Sequence, residues 1–149
     1  MIVKSLEHLN SLSKKIADKI TKNDCIFLTG EIGVGKTTLT RYLINYLQKK
    51  NGEKITEVLS PTFNLLYEYD LKRIKIMHYD LYRIRDEKEL KQLGIFLDKQ
   101  DTIKIIEWPQ LINIPLSDKL EIHLDYVKNE KEREIKFIGS GKWKTLNEL

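Results

Sequence analysis

The strongest signal in the chain lies at residues 30–38, which read Gly30-Glu31-Ile32-Gly33-Val34-Gly35-Lys36-Thr37-Thr38. This stretch matches the pattern G-x-x-x-x-G-K-[ST], in which glycines allow backbone N–H groups to turn inward around a phosphate. The helix that follows such a loop directs the positive end of its dipole at the anion. In this pattern Lys36 reaches the β- and γ-phosphates, Thr37 ligates Mg²⁺ and Thr38 lies near the α-phosphate. Residues 30–38 are therefore predicted to bind the phosphates of a nucleotide.

The loop is flanked by the two elements that this kind of site requires. Cys25 to Thr29 is a short, continuous apolar run, which is typical of a strand buried on both faces. After the loop, side chains recur at the helical spacing of three and four, at Leu39, Tyr42, Leu43, Tyr46 and Leu47. The order of strand, loop and helix favours phosphate binding over a chance match to the pattern.

The segments around this unit predict further helices and strands. Asn10 is predicted to cap a first helix, which carries its apolar residues on one face. Residues 63–70 and 73–80 are rich in aromatic and aliphatic side chains and predict two antiparallel strands. Asp86 is predicted to cap a short charged helix that ends near Gln92.

The second half of the chain completes a predicted sheet. Residues 103–107 form a buried apolar run, and residues 120–126 and 135–137 alternate between apolar and polar side chains. We expect the sheet to be parallel near the glycine-rich loop and antiparallel elsewhere, which makes the fold mixed α/β. A length of 149 residues predicts that residues 1–149 form a single domain.

Composition narrows the classes of protein that remain. Hydrophobic residues make up 41% and charged residues 32%, which excludes a collagen-like or wholly disordered chain. The single cysteine, Cys25, excludes an internal disulfide and a multi-cysteine zinc site. No apolar run has the length of a membrane span, and the start of the chain lacks a secretory pattern, so we expect a cytoplasmic protein. The net charge of +4 permits an RNA partner without requiring one.

Two acidic residues follow apolar strands and are candidates for work on the nucleotide. Asp80 and Glu107 each share strand parity with buried residues and end a predicted strand, the place where open α/β sheets bind ligands. A nucleoside triphosphatase needs an acid near Mg²⁺ and a group that positions the attacking water. The residues alone leave open which of the two has which role, and an ordinary strand-end turn remains the alternative for each.

Thr62, His78 and Trp108 are three further residues with a functional interpretation. Thr62 lies in Ser60-Pro61-Thr62-Phe63 and could reach the γ-phosphate or Mg²⁺ as a switch residue, although a simple loop is an equal alternative. His78 has no second His or Cys at ligand spacing and is interpreted as structural. Trp108 is interpreted as a core residue, with stacking on a base or a partner as the alternative.

Taken together, the motifs resemble those of the bacterial TsaE family. The resemblance is carried by the glycine-rich loop followed, in this order, by Ser60-Pro61-Thr62-Phe63, His78-Tyr79-Asp80-Leu81-Tyr82-Arg83 and Ile106-Glu107-Trp108-Pro109. It extends over nearly the whole chain and reaches Arg133. The loop is shared by many families, whereas the three later elements are much more specific to this one.

The resemblance implies a P-loop NTPase-like three-layer fold, an ATPase activity, and ATP and Mg²⁺ as cofactors. It implies that Thr37 and Glu107 hold Mg²⁺ and that Arg133 contacts the nucleotide. Asp80 would act at the γ-phosphate as base or water-positioning group, and Thr62 would be the switch residue. The catalytic set implied in this way consists of Lys36, Thr62, Asp80 and Glu107.

The resemblance also implies a biological setting. The family acts in threonylcarbamoyladenosine modification of tRNA together with the TsaD and TsaB proteins. This chain would accordingly form a complex with TsaD and TsaB homologues and meet tRNA indirectly through that complex. Contacts with DNA or a membrane are not expected, and ATP hydrolysis is expected to be slow without the partners.

Two other functions share the same loop. A small-molecule kinase would need an acceptor pocket and usually an arginine-bearing lid, and Arg83 and Arg85 are the only clustered arginines. A binding module that uses ATP only as a switch would need no hydrolysis, and its acids would tune affinity. Transfer of phosphate to a metabolite distinguishes the first alternative, and nucleotide binding without phosphate release distinguishes the second.

Overall fold

A mixed β-sheet forms the centre of the fold. The computed structural model describes residues 1–97 and 101–147, and within them the sheet has seven strands in the order β1-β7-β6-β2-β5-β4-β3. The strands are β1 (Ile2–Val3), β2 (Cys25–Thr29), β3 (Leu66–Leu71), β4 (Ile74–Asp80), β5 (Thr102–Glu107), β6 (Lys119–Tyr126) and β7 (Arg133–Gly139). The helices are α1 (Leu6–Ala17), α2 (Lys36–Lys50), α3 (Glu87–Leu93) and a terminal 3-10 helix (Gly141–Leu146).

Strand directions change from the centre of the sheet to its edges. β2 lies between β5 and β6 and is parallel to both, and β4 is parallel to β5. The pairs β3–β4, β6–β7 and β1–β7 are antiparallel. The predicted mixed sheet, parallel next to the glycine-rich loop, is confirmed. Its parallel centre places the carboxyl ends of β2, β4 and β5 at one edge, where the loop begins.

Helices α1 and α2 cover one face of the sheet. Their apolar side chains pack on the inward residues of the central strands, and Leu39, Leu43 and Ile44 of α2 are fully buried. The opposite face is covered over β2, β4 and β5 by a smaller cluster, to which α3 contributes Leu90 and Leu93. The three layers predicted from the resemblance are therefore present. In the described part of the chain, no helix is long and apolar enough to cross a membrane.

Three predicted boundaries were wrong. Helix α1 begins at Leu6 and is capped by Ser5, whose hydroxyl accepts a hydrogen bond from the His8 N–H at 3.1 Å, so Asn10 lies inside the helix. Ser5 rather than Asn10 caps the helix because Leu9, one turn before Leu12, is also part of the buried apolar face, so the helix must begin before Leu9. The hairpin turn falls at Lys72-Arg73, one residue later than expected.

The third boundary concerns the segment before β3. β3 starts at Leu66 rather than at residue 63, because the chain first folds a turn in which the Leu65 N–H donates to the Pro61 carbonyl at 2.6 Å. The short strand β1 and the 3-10 helix had no counterpart in the prediction. By contrast, Asp86 does cap α3, since its carboxylate accepts from the Glu89 N–H at 2.8 Å.

Candidate nucleotide-binding site

The glycine-rich loop connects the buried end of β2 to the first turn of α2. Gly30 has a φ of +139°, and a Cβ there would overlap the carbonyl oxygen of Leu124 in the neighbouring strand β6. Gly35 caps α2 with a φ of +120° and offers no side-chain hydrogen bond to the helix. The first N–H groups of α2 are therefore left for an anion, as the sequence pattern predicts.

Lys36 is folded back onto this loop. Its Nζ donates to the carbonyl oxygens of Gly30 at 2.6 Å and Glu31 at 2.8 Å, and the residue is 5% exposed. Burial lowers the pKa of Lys36, while the negative charges of Glu107 and Asp80 partly oppose that shift. The ammonium group is thus poorly hydrated and close to the place where the loop would hold a phosphate.

The two acids meet at the carboxyl edge of the sheet. β4 and β5 are parallel neighbours, and their register sets Asp80 directly beside Glu107, with both residues buried. Thr37 Oγ1 donates to Glu107, at 3.2 Å from Oε1 and 3.4 Å from Oε2. The first hydroxyl of α2 and the acid of β5 therefore face each other across the end of the sheet.

Asp80 is held by a separate set of hydrogen bonds. Thr62 Oγ1 donates to Asp80 Oδ2 at 2.8 Å, and the Tyr82 N–H donates to Asp80 Oδ1 at 3.0 Å. The Ser60 hydroxyl lies 2.8 Å from Thr62 Oγ1. Each carboxylate oxygen has two acceptor positions, so Asp80 retains capacity for a further donor such as water.

Most of the predicted site residues line one cavity of about 250 Å³. These are Ile32, Gly33, Gly35, Lys36, Thr37, Thr38, Thr62, Asp80 and Glu107. Ser60, Tyr82 and Trp108 line it as well. A larger cavity of about 360 Å³ lies against α3, but its lining is mainly apolar and includes none of the loop residues. Chemistry rather than size therefore identifies the candidate site.

Arg133 lies on the other side of the loop. Its Nε donates to the Val34 carbonyl at 2.9 Å, and its guanidinium group stacks 4.3 Å from the centre of the Tyr126 ring. Val34 and Arg133 line a second cavity of about 190 Å³, which is separated from the acids but shares Thr38 with the first. Of the other two predicted loop residues, Gly30 and Glu31 present carbonyl oxygens to Lys36 and line neither cavity.

Two residues that the sequence analysis interpreted as structural and core residues also contact the site residues. His78 Nε2 lies 2.7 Å from Glu107 Oε2, and Trp108 is half-buried with its ring centre 4.6 Å from Lys36 Nζ. Trp108 has a φ of +58°, an unusual backbone for a bulky residue, which turns its ring back over the loop lysine. The available signal was strand parity, because His78 stands two residues before Asp80 and therefore points to the same face.

The side-chain oxygens of this site suit an Mg²⁺ ion that is also coordinated by phosphate oxygens, rather than one that is held by the protein alone. Thr37 and Glu107 offer a hydroxyl and a carboxylate, the hard oxygen ligands that Mg²⁺ prefers. Among residues 1–97 and 101–147 there is no group of three His, Cys, Asp or Glu that could hold a metal by itself. Such a site would need ligand oxygens from a bound nucleotide to complete the coordination.

The parallel sheet centre, the glycine-rich loop between β2 and α2, and the acids at the neighbouring strand ends define the class of P-loop NTPase-like proteins. The fold of YdiB from Bacillus subtilis is similar, with a TM-score of 0.71 over 99% of this chain and 90% of that one, at 24% identity.

Comparison at the level of sequence identifies the family. The model described as threonylcarbamoyl adenosine biosynthesis protein TsaE matches residues 3–135. A tRNA threonylcarbamoyladenosine biosynthesis protein TsaE from Rickettsia conorii is 36% identical over 128 residues, 85% of this chain and 71% of the relative. The protein of the same name from Aquifex aeolicus is 32% identical over 136 residues, 91% of this chain and 92% of the relative. The chain belongs to the TsaE family, as the motifs predicted.

Proposed function

We propose that this chain is an Mg²⁺-dependent ATPase that supports threonylcarbamoyladenosine modification of tRNA, in a complex with TsaD and TsaB homologues. The biosynthetic role rests on membership of the TsaE family and on the names of its relatives. The ATPase activity is supported by one observation, the convergence of Lys36, Thr37, Asp80 and Glu107 on a single cavity. We further propose that residues 1–149 act as one domain.

The geometry supports different roles for the two acids. Glu107 contacts the Thr37 hydroxyl, so these two residues would hold Mg²⁺, which when bound neutralises charge on the phosphates. Asp80 contacts Thr62 instead and is free to accept a proton or hydrogen bond from water at the γ-phosphate. Lys36 would replace its hydrogen bonds to the loop carbonyls with hydrogen bonds to β- and γ-phosphate oxygens. These are stronger, because the phosphate oxygens are negatively charged and the carbonyls are neutral.

The two cavities suggest the direction in which the nucleotide lies. The acid-bearing cavity suits the γ-phosphate and the metal, and Thr38 is shared with the second cavity. Because Thr38 is expected near the α-phosphate, the nucleoside would extend into the second cavity. Arg133 lines that cavity, which supports the proposed contact with the nucleotide.

The test is a comparison of nucleotide binding and phosphate release. Lys36→Ala should abolish ATP binding. At saturating Mg²⁺, Asp80→Asn and Glu107→Gln should retain binding and suppress hydrolysis at least roughly 100-fold. Asp70→Asn is the matched control, because Asp70 is an exposed acid on the neighbouring strand β3. Normal phosphate release by both acid variants would remove the mechanism.

The assay should also include purified TsaD and TsaB homologues, with and without ATP. Co-purification and faster phosphate release are expected when the partners are present. Binding of ATP without phosphate release, even with both partners, would identify a non-hydrolytic module. Transfer of the γ-phosphate to a hydroxylated metabolite, detected in place of free phosphate, would identify a kinase.

A further inference from the structure

His78 is a buried polar residue whose ring is directed at the candidate metal ligand. It is 0% exposed, and its Nε2 lies 2.7 Å from Oε2 of Glu107, which is itself 2% exposed. Its other ring nitrogen, Nδ1, has no hydrogen-bond partner in the described part of the chain. Burial of Nδ1 without a hydrogen bond therefore has a free-energy cost, and the contact of Nε2 is with Glu107.

Packing by itself does not account for a histidine at this position. β4 is buried along Ile76, Met77, His78, Tyr79 and Asp80, and Ile105 lies opposite His78 in the register of β5. An aliphatic side chain at position 78 would fill this core without an unpaired polar atom. The feature that an aliphatic residue could not reproduce is the hydrogen bond to Glu107.

The hydrogen bond assigns the ring tautomer. A carboxylate that ligates a metal is ionised and only accepts hydrogen bonds, so in the proposed role of Glu107 the hydrogen between the two side chains would belong to Nε2 of His78. The opposite tautomer would bring two acceptors together at 2.7 Å and leave an N–H group buried at Nδ1. His78 is therefore a donor aimed at one oxygen of Glu107, which restrains rotation of that carboxylate.

The restraint leaves the second oxygen for other ligands. Oε2 of Glu107 accepts the hydrogen bond from His78, while Oε1 is the oxygen nearer to the Thr37 hydroxyl, at 3.2 Å. We propose that His78 is a positioning residue that orients the Glu107 carboxylate toward Thr37, so that the two can hold Mg²⁺ together with the nucleotide phosphates. This inference rests on the proposed function. Hydrogen bonds of this kind to a metal-ligating carboxylate commonly change metal affinity about 10- to 100-fold when they are removed.

Three substitutions separate positioning from packing. His78→Leu keeps an apolar core and removes the donor. His78→Gln retains an amide N–H group at a reach similar to that of Nε2, whereas the shorter His78→Asn retains a polar amide near the position of Nδ1. Met77→Leu is the matched control for disturbance of β4, because Met77 is buried on the opposite face of the strand.

The measurement is the Mg²⁺ dependence of nucleotide binding by the full chain, followed with a fluorescent ATP analogue. We expect His78→Leu and His78→Asn to need about 10- to 100-fold more Mg²⁺ for half-maximal binding. Their affinity for the analogue without Mg²⁺ should match that of the unmodified chain. His78→Gln should recover most of the Mg²⁺ dependence, and Met77→Leu should retain all of it.

Each outcome of this experiment bears on the proposal. An unchanged Mg²⁺ requirement in folded His78→Leu would overturn it, as would a His78→Gln variant that behaves like His78→Asn. If His78→Leu fails to fold, the comparison of the Gln and Asn variants decides the matter. Failure of the proposed function gives a different result, because the unmodified chain itself would then bind nucleotide without any response to Mg²⁺. That result would also overturn the proposed role of His78.

Discussion

The ammonium group of Lys36 lies 4.6 Å from the centre of the Trp108 ring while it donates to two carbonyls of its own loop. A cation over an indole face contributes about 0.5–2 kcal/mol, so Trp108 helps to hold the lysine in this folded-back position. The proposed phosphate contacts would replace those carbonyl contacts, so we expect nucleotide binding to move Lys36 and to alter its contact with the indole ring.

Trp108 fluorescence should therefore report nucleotide binding. The chain has two tryptophans, and Trp143 is fully buried in the 3-10 helix. Lys142 of that helix contacts Asp24 just before β2, whereas the loop follows the other end of β2. We expect saturating ATP to change the emission of a Trp143→Phe variant, in which Trp108 is the remaining tryptophan. A Trp108→Phe variant should show no change. Equal responses in the two variants would contradict the coupling between Lys36 and Trp108.

The lowered pKa of Lys36 predicts that nucleotide binding takes up protons in alkaline solution. Burial lowers this pKa from 10.5, and bound phosphates would raise it again because they favour the charged ammonium. At a pH between the free and bound values, the lysine is neutral before binding and charged afterwards. Affinity should therefore fall as the pH rises through the lowered pKa, at a pH below 10.5.

Calorimetry in two buffers with different ionisation enthalpies measures this proton uptake directly. Lys36→Arg is the control, because arginine remains charged throughout the accessible range. The variant should show no uptake at alkaline pH if it still binds. Identical proton uptake by the arginine variant would mean that another group is responsible.

The hydrogen bond from Thr62 to Asp80 predicts a kinetic rather than a binding defect. Thr62→Val preserves the shape of the side chain and removes the hydroxyl, which frees Asp80 Oδ2. A hydrogen bond to a charged group contributes roughly 1.5–3 kcal/mol, so kcat should fall about 10- to 100-fold with little change in KM. Thr62→Ser should retain most of the activity. A loss of ATP affinity equal to the loss in kcat would contradict this role for Thr62.

Burial predicts that the single cysteine is unreactive and makes stability depend on pH. Burial raises the pKa of Cys25 from 9.0 to about 12, against the opposing charges of Lys104 and Lys119. The unfolded chain loses the thiol proton near pH 9 while the folded chain keeps it, so stability falls as the pH rises from 9 toward 12. The expected loss between pH 8 and 10.5 is roughly 2 kcal/mol.

Urea unfolding at pH 8 and at pH 10.5 isolates this effect when the unmodified chain is compared with Cys25→Ala. The variant should lack the roughly 2 kcal/mol difference that the thiol contributes. An aromatic disulfide reagent at pH 8 should react with the unmodified chain only after denaturation. Rapid reaction of the folded chain would contradict the burial of Cys25.

Much of the candidate site could be predicted because its main signals are local. The spacing of Gly30, Gly35 and Lys36 requires only that neighbouring backbone groups surround an anion. Apolar runs that end in Asp80 and Glu107 predicted two acids at strand ends, and the parallel pairing of β4 with β5 brought them to the same level. Periodicity reports which face of a strand is buried, so it predicted that each carboxylate ends a buried strand, and the strand pairing then set the two side by side.

The remaining features depend on what lies opposite a residue, and periodicity does not report that. His78 meets Glu107 across two strands, so their contact follows from strand order and register rather than from either segment. Strand β1 has two residues and is defined by pairing with β7, whose paired residues Glu134 and Arg133 lie 132 and 130 positions away in the chain. Ser5 and Asn10 both qualify as helix caps by residue type, and the tertiary packing of Leu9 decides between them.

The close approach of the loop to β6 predicts that even alanine at position 30 destabilises the protein. A methyl group at Gly30 would overlap the Leu124 carbonyl and come within 2.9 Å of Val34 Cγ1, at a backbone φ of +139°. Gly52 is the matched control, because its φ of +71° is also unfavourable for alanine while its nearest neighbour is the flexible end of Lys72, at 3.6 Å. Gly52→Ala should therefore cost about 1–2 kcal/mol of stability, from backbone strain alone. Gly30→Ala should cost roughly 1–3 kcal/mol beyond that, because the loop and β6 must move apart.

Urea unfolding of the two variants measures the difference, and equal losses would show that the Leu124 contact is not tight. Only Gly30→Ala should also weaken nucleotide binding, since the movement that relieves its overlap displaces the backbone amides of the loop.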